Sequence, residues 1–240
     1  MSEYPLAIVT GASKRLGRAF ARALARRGHA VLVHYHLDQQ GAYDTAEELR
    51  ALGGPVYIQQ ADLAAAEEIE ELFKFVDSLP HPLKVLVNSA ALMKRGDPGS
   101  LTLAEWDQTM DLNLRAPFFC AALASQRMQE GGLIVNISDV AARKSWHAYP
   151  AYTVSKAALE ALTRVQARAF APKVRVNAIA PGLVLRSDIV PEEQWERLTA
   201  RLPLQRPAGT DEVTAALDYL LDNAYVTGET LLVDGGYSLI

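Results

Sequence analysis

The sequence has little cysteine, little net charge and no long apolar run. Its 240 residues include one cysteine, Cys120, which excludes an intramolecular disulfide. A formal charge of -4, from 24 basic and 28 acidic residues, lacks the clustered basic excess that nucleic acids and anionic membranes require. The apolar run near the N-terminus is too short for a signal peptide or a spanning helix. These absences predict a cytoplasmic protein without a nucleic-acid or membrane partner.

Short β-branched runs alternate along the chain with longer segments of helical period, and no low-complexity linker interrupts them. The apolar runs predict seven strands, at 6–9, 31–34, 56–59, 85–87, 133–137, 174–178 and 231–233. The helical segments are 16–27, 42–52, 65–78, 103–129, 149–169, 192–200 and 211–222. We therefore predict a single α/β domain over residues 1–240, with a doubly wound parallel sheet and a lid at about 182–205.

A glycine-bearing turn, TGASKRLG, follows the first strand and opens the first helix. Gly11 and Gly17 would let the backbone turn tightly and approach a pyrophosphate, whose charge is favoured by a helix N-terminus. The alternative is ordinary tight packing between strand and helix. The turn predicts a dinucleotide site if other segments also supply residues suited to bind the cofactor.

The end of the second strand bears on which dinucleotide would bind. A cofactor without a 2′-phosphate typically meets an acidic residue there, and this chain has Tyr35. Arg15 and His36 could donate to a 2′-phosphate, so the pattern favours NADPH over NADH. Asp38 lies close by and argues against this choice, and Arg15 could also be a solvated loop charge.

Two further segments fit a cofactor pocket. Asp62 follows the third strand and could accept from an adenine amino group, although it could equally cap the next helix. Asn88 and Ala90 follow the fourth strand and could lie against the adenine ribose.

Tyr152 and Lys156 are four residues apart in a predicted helix, so they share one face. A free tyrosine has a pKa of about 10, and a neighbouring ammonium would lower it toward the neutral range. The alternative is an exposed Tyr–Lys pair of the kind common on helices.

Taken in order, the segments TGASKRLG, ADL, NSAA, DLNLRAPF, NISD, YTVSK, RVNAIAPG and LLVDGGY resemble the short-chain dehydrogenase/reductase family over practically the whole chain. The resemblance implies a Rossmann-type fold in which Tyr152 is the acid–base. It also implies that Lys156 lowers the pKa of Tyr152 and binds nicotinamide ribose, and that Asn113 holds a water linking Lys156 to solvent. Further cofactor contacts then fall on Leu16, Leu63, Pro181 and Gly182.

The family usually has a serine thirteen residues before the tyrosine, and this chain has Asp139 there. An ionised carboxylate beside Tyr152 would repel a developing alkoxide, whereas a carboxyl group suits a nitrogen heterocycle better. The aspartate, the arginine in TGASKRLG and the tail DGGYSL make the sequence similar to the pteridine reductases. This similarity implies Asp139, Tyr152 and Lys156 as catalytic residues, with Tyr149 lining the pterin.

The substrate side departs from the pteridine reductase pattern. The stacking aromatic of that branch would fall near 91–93, where the chain offers Met93. Arg186 follows the PGL segment and could face either an anionic substrate tail or water. We expect no metal site.

Three hypotheses follow for the function. The first is an NADPH-dependent reductase of an oxidised pterin, such as a dihydropterin or a dihydrofolate-like compound. The second is an NADPH-dependent reductase of a 3-oxoacyl chain or a small ketone, and the third is a cofactor-binding protein without turnover. The resemblance also implies a homotetramer.

Overall fold

A computed structural model describes residues 4–186 and 190–240. It contains one sheet of seven strands, all paired in parallel. The strands are β1 (Leu6–Val9), β2 (Ala30–Tyr35), β3 (Val56–Gln60), β4 (Leu83–Asn88), β5 (Gly132–Ile137), β6 (Val174–Pro181) and β7 (Thr230–Val233). Their spatial order is β3-β2-β1-β4-β5-β6-β7, so the order reverses between β1 and β4. The predicted doubly wound sheet is confirmed, and this reversal is where such folds bind ligands.

The helices cover both faces of this sheet. They are α1 (Arg15–Arg26), α2 (Gln39–Arg50), α3 (Ala66–Asp77), α4 (Leu103–Met110), α5 (Ala116–Arg127), α6 (Ala141–Lys144), α7 (Pro150–Phe170), α8 (Glu192–Arg201) and α9 (Thr210–Asp222). A 3₁₀ turn follows at Tyr237–Leu239. Among the described helices, none is both long and apolar enough to cross a membrane.

Two apolar cores result because successive strand residues point to opposite faces. In β1, Leu6 and Ile8 belong to the core under α3 and α5, whereas Ala7 and Val9 belong to the core under α1, α2 and α9. Burial on both faces explains the continuous apolar runs from which the strands were predicted.

The helix predicted at 103–129 is found at 103–127, although it is not α-helical throughout. It is interrupted by a π-helical turn at Asp111–Arg115, and a proline lies in the first turn of α5. The apolar period continues across the turn, which is why the sequence conceals it.

The predicted lid is only partly described, because residues 187–189 lie outside the described ranges. Within it, α8 is found where a helix was predicted, and none of its residues is buried. This helix is therefore only loosely packed against the rest of the protein.

Candidate active site

A cavity of about 500 Å³ lies at the carboxyl ends of the strands, around the reversal in strand order. Most of the residues singled out from the sequence line it, although they come from distant parts of the chain. These residues are Gly11, Arg15, Leu16, Gly17, His36, Asp62, Leu63, Ala90, Met93, Asp139, Tyr152, Lys156, Pro181 and Gly182. Asn88, Asn113, Tyr149 and Arg186 do not belong to the lining.

The turn between β1 and α1 forms one end of the cavity. Gly11 has a φ of +65°, a left-handed conformation that favours glycine. A Cβ atom at Gly17 would lie 2.1 Å from the carbonyl oxygen of Gly11, so no larger residue fits there without a shift of the backbone. Lys14, the N-cap of α1, makes no side-chain capping hydrogen bond, and the first turn of α1 lines the cavity. The turn thus combines close backbone access with a helix N-terminus, which is what a pyrophosphate requires.

A buried histidine holds this turn in place. The amide of Gly11 donates to Nδ1 of His34 at 3.1 Å, and Nε2 of His34 lies 3.0 Å from the carbonyl oxygen of Ala61. Because Nδ1 accepts, the ring hydrogen is on Nε2 and is donated to Ala61. Burial lowers the pKa of His34 to about 4, so the imidazole stays neutral at physiological pH.

The surroundings of a 2′-phosphate are consistent with the predicted preference for NADPH. Tyr35 is buried in the sheet. Asp38, which argued for NADH, does not line the cavity; its carboxylate accepts from the amide of Gly41 at 3.1 Å, at the N-terminus of α2. That hydrogen bond lowers the pKa of Asp38, and Lys14 lies 3.6 Å away. His36, by contrast, lines the cavity.

Arg15 lines the cavity and contacts the segment that leads into α8. Its guanidinium donates to the carbonyl oxygens of Leu185 at 2.6 Å and Arg186 at 3.2 Å. Arg15 also adopts a left-handed φ of +54°. In this structure the side chain connects the cofactor turn to the segment that leads into α8, a contact that the sequence did not predict.

Asp62 and Asn88 have different surroundings. Asp62 lines the cavity, accepts from the amide of Ala64 at 3.0 Å and lies 3.9 Å from Nε2 of His36. The N-cap of α3 is Ala65, so the alternative of a cap at Asp62 is wrong. Asn88 is buried and donates to Asn136 at 2.9 Å, which joins β4 to β5 beneath the cavity. Its direct contact with a ribose is therefore not supported by the geometry.

The centre of the cavity brings together Asp139, Tyr152 and Lys156. The hydroxyl of Tyr152 donates to Oδ2 of Asp139 at 2.9 Å, and Oδ1 of Asp139 accepts from the amide of Ala141 at 2.7 Å. Nζ of Lys156 donates to the carbonyl oxygen of Ile137 at 2.8 Å and lies 5.6 Å from the centre of the Tyr152 ring. A phenol, a carboxyl group and an amine thus converge from the end of β5 and the first turns of α7.

Burial controls the protonation of these three groups. It raises the pKa of Asp139, against the opposing effects of its hydrogen bonds and of Lys156. It lowers the pKa of Lys156 to about 8, while Asp139 acts in the opposite direction. Burial and the charge of Asp139 raise the pKa of Tyr152 well above its usual value. The net shift of the Tyr152 pKa is thus upward, so burial and Asp139 outweigh the lowering expected from Lys156, and Tyr152 keeps its proton at neutral pH.

Asn113 joins the loop after β4 to α7 through its side chain. It lies in the π-helical turn, fully buried, and its side chain accepts from the amide of Leu92 at 2.7 Å and donates to the carbonyl of Leu92 at 2.9 Å. It also donates to Oγ of Ser155 at 3.1 Å. Asn113 therefore fastens the loop after β4 to α7, beside Tyr152 and Lys156, and does not itself reach the cavity.

A buried carboxylate on α7 also supports the site and was missed in the sequence. Glu160 accepts from Oγ of Ser138 at 3.2 Å and lies 3.5 Å from the guanidinium of Arg143. Ser138 precedes Asp139, and Arg143 belongs to the short helix that follows it. Glu160 thus ties the segment that carries Asp139 to the helix that carries Tyr152 and Lys156. An acidic residue at a position of the helix that the apolar period places toward the core was the feature of the sequence that could have indicated this role.

The substrate side of the cavity differs most from expectation. Met93 lines it as predicted, but Tyr149 does not; the Tyr149 ring packs on Trp146, with centroids 6.2 Å apart. Trp146 and Trp195 line the cavity and were not singled out from the sequence. The guanidinium of Arg186, which could face either a substrate tail or water, donates to the carbonyl oxygen of Val190 at 3.1 Å, and Arg186 does not line the cavity.

Comparison with known proteins agrees with this geometry. A profile of the family described as "Enoyl-(Acyl carrier protein) reductase" matches residues 11–238. The chain belongs to the short-chain dehydrogenase/reductase family. It is 33% identical over 237 residues to the 3-oxoacyl-[acyl-carrier-protein] reductase FabG of Staphylococcus aureus, which covers 96% of each chain.

Among the solved structures that resemble the chain, two have bound NADP and different names. FolM alternative dihydrofolate reductase 1 from Brucella canis, complexed with NADP, is 34% identical with a TM-score of 0.93, covering 98% of this chain and 94% of the other. Landomycin C-6 ketoreductase LanV, with bound NADP and rabelomycin, is 28% identical with a TM-score of 0.89, covering 98% and 97%. These two structures have a similar fold and bound NADP while their names differ in the substrate, so the substrate of this chain has to be argued from the site.

Proposed function

We propose that this short-chain reductase uses NADPH to reduce an oxidised pterin, such as a dihydropterin or a dihydrofolate-like compound. The observation that carries the proposal is the hydrogen bond of 2.9 Å between the Tyr152 hydroxyl and the Asp139 carboxyl group. Burial raises the pKa of Asp139, which makes this carboxyl group more available as a proton carrier than an ordinary aspartate. An acid pair of this kind suits a ring nitrogen that must gain a proton.

The protonation states fit reduction. Reduction of a C=N bond adds a hydride to carbon and a proton to nitrogen, and NADPH when bound supplies the hydride. Tyr152 holds its proton at neutral pH and can give it to the substrate nitrogen. A protonated Asp139 can then return a proton to the phenolate oxygen, to which it is already hydrogen-bonded. The nearby charge of Lys156 favours the transient phenolate.

NADPH is proposed to lie along the turn of residues 11–17, where glycines and a helix N-terminus accommodate a pyrophosphate. Arg15 and His36 are the proposed partners of its 2′-phosphate, and Asp62 of its adenine amino group. Position 35, where an acidic residue would bind the ribose of NADH, is a tyrosine, and Asp38 caps α2; both features support NADPH over NADH.

A second candidate is a 3-oxoacyl reductase, which is favoured by the similarity to FabG along nearly the whole chain. The two are separated by measuring NADPH oxidation by the purified protein with dihydrobiopterin, dihydrofolate and an acetoacetyl thioester. A kcat/KM for dihydrobiopterin or dihydrofolate well above that for the thioester supports the pterin proposal. Turnover of the thioester alone would remove it.

We also propose a homotetramer. Four apolar side chains on α5 and α7 remain exposed in the single chain, with exposed fractions of 44–63%: Phe118, Phe119, Val154 and Val165. Exposed apolar faces on neighbouring helices are typical of subunit interfaces. Light scattering at micromolar concentration should give the mass of four chains for the original protein and a lower mass for Val165→Glu. A location in the cytoplasm remains a prediction.

A further inference from the structure

Trp146 occupies a defined place in the cavity wall. It follows α6 directly after Ser145, whose φ of +50° places the backbone in the left-handed region. The carbonyl oxygen of Trp146 accepts from the amide of Tyr149 at 3.0 Å and from Oγ1 of Thr153 at 3.2 Å. Because Thr153 is the neighbour of Tyr152, the backbone of Trp146 is fixed to the helix turn that carries the proton donor.

Two aromatic rings support the indole from outside the cavity. The ring of Tyr237 lies 6.1 Å from that of Trp146 at an angle of 47°, and the ring of Tyr149 lies 6.2 Å away at 60°. Trp146 lines the cavity, whereas these two tyrosines do not. Tilted and edge-on contacts of this kind fix the orientation of an aromatic ring. The last turn of the chain thus contacts the wall of the cavity through Tyr237.

Lys144 fixes Tyr237 in turn. Its Nζ lies 4.6 Å from the centre of the Tyr237 ring, donates to the carbonyl oxygen of Tyr237 at 3.0 Å and also donates to the carbonyl oxygen of Ile240. Asp234 closes the same turn by accepting from the amides of Gly236 at 2.9 Å and Ser238 at 2.8 Å. A continuous set of contacts therefore runs from Lys144 through Tyr237 to Trp146.

We propose that Trp146 is the aromatic wall on which the flat ring of the substrate lies, and that Lys144 and Tyr237 are positioning residues that set the orientation of this wall. The inference rests on the proposed function, because a planar fused heterocycle gains more from an indole face than an acyl chain does. It also supplies the flat contact that Met93 offers only weakly. The substrate class is thus a planar, nitrogen-containing bicyclic ring.

Kinetics with dihydrobiopterin tests the wall itself. We expect Trp146→Leu to raise the KM about tenfold, in line with stacking of a base on an aromatic side chain, and Trp146→Phe to restore most of the affinity. Trp195→Phe is the matched control on α8 and should change the KM less than Trp146→Leu does. An unchanged KM in Trp146→Leu would overturn the role of Trp146.

The positioning residues are tested separately. Tyr237→Leu and Lys144→Met should each raise the KM about threefold while kcat stays within about twofold, and Tyr237→Phe, which keeps the ring, should match the original protein. A lower melting temperature with an unchanged KM would show that both residues act only on stability, and would overturn their positioning role.

Fluorescence separates this inference from the proposed function. In a Trp106→Phe/Trp195→Phe background the emission reports on Trp146, the remaining tryptophan. Adding Tyr237→Leu should shift that emission if Tyr237 orients Trp146, and no shift would contradict the contact. If the protein with its original sequence fails to oxidise NADPH with dihydrobiopterin, the proposed function and the substrate assigned to Trp146 both fail, whereas the fluorescence still decides whether Tyr237 positions the indole.

Discussion

The two halves of the cavity are formed by different parts of the fold. The cofactor half, formed by the turn of residues 11–17 with His36 and Asp62, lies at the ends of β1, β2 and β3 and is held by the buried His34. The substrate half, formed by Met93, Trp146 and Trp195, consists of side chains on loops and on α8, a helix with no buried residue. Asp139, Tyr152 and Lys156 lie between them. The cofactor half therefore follows from the strand ends of the sheet, whereas the substrate half depends on contacts between loop side chains.

The largest effect should come from the group between the halves. Tyr152→Phe removes the hydroxyl that donates to Asp139 and should lower kcat/KM about 10³-fold, as expected for the loss of a general acid. Steady-state NADPH oxidation measures this, with circular dichroism to confirm the fold. Turnover unchanged from that of the original protein would show that Tyr152 is not the proton donor.

The cofactor half should be intolerant of added atoms. Gly17→Ala places a Cβ at 2.1 Å from the carbonyl oxygen of Gly11, and overpacking of this kind costs about 1–3 kcal/mol. We expect the Kd for NADPH to rise about 10- to 100-fold by fluorescence titration. Gly209→Ala is the matched control, since its Cβ would meet no atom closer than 3.8 Å. Equal affinities in the two variants would mean that the turn does not hold the cofactor.

The pH dependence of pterin reduction should depend on Asp139. Its pKa is raised by burial, so the rate should fall as pH rises and Asp139 loses its proton, and fall again near pH 8 as Lys156 loses its charge. In Asp139→Asn the first decline should vanish. The second should move to lower pH, because Asp139 raises the pKa of Lys156. A profile identical to that of the original protein would contradict these roles.

Substitution of Arg15, which lies between the two halves, should have a smaller effect on cofactor affinity. Arg15→Ala should weaken NADPH about tenfold more than NADH, through loss of a charge-assisted contact with the 2′-phosphate. It also removes two hydrogen bonds to the segment before α8. Isothermal titration with both cofactors decides; equal losses would show that Arg15 does not contact the 2′-phosphate.

What could be predicted from the sequence follows the same division. Gly11, Gly17 and the Tyr152–Lys156 spacing were readable because strand ends and helix periods fix where such residues lie. Trp146 was not, because its place depends on a left-handed residue at Ser145 and on Tyr237, more than ninety residues away. Asn113 was recognised, but the π-helical turn that directs it to Leu92 leaves no mark in the apolar period. The raised pKa of Tyr152 reflects burial, which spacing alone does not reveal.

The most direct test of the proposed chemistry is the ratio of kcat/KM for dihydrobiopterin to that for an acetoacetyl thioester, measured with NADPH for the original protein and for Asp139→Ser. If the Asp139–Tyr152 pair makes the site a pterin reductase, the ratio is well above one for the original protein and falls at least tenfold in the variant. A ratio below one, or a ratio that Asp139→Ser leaves unchanged, would contradict this assignment.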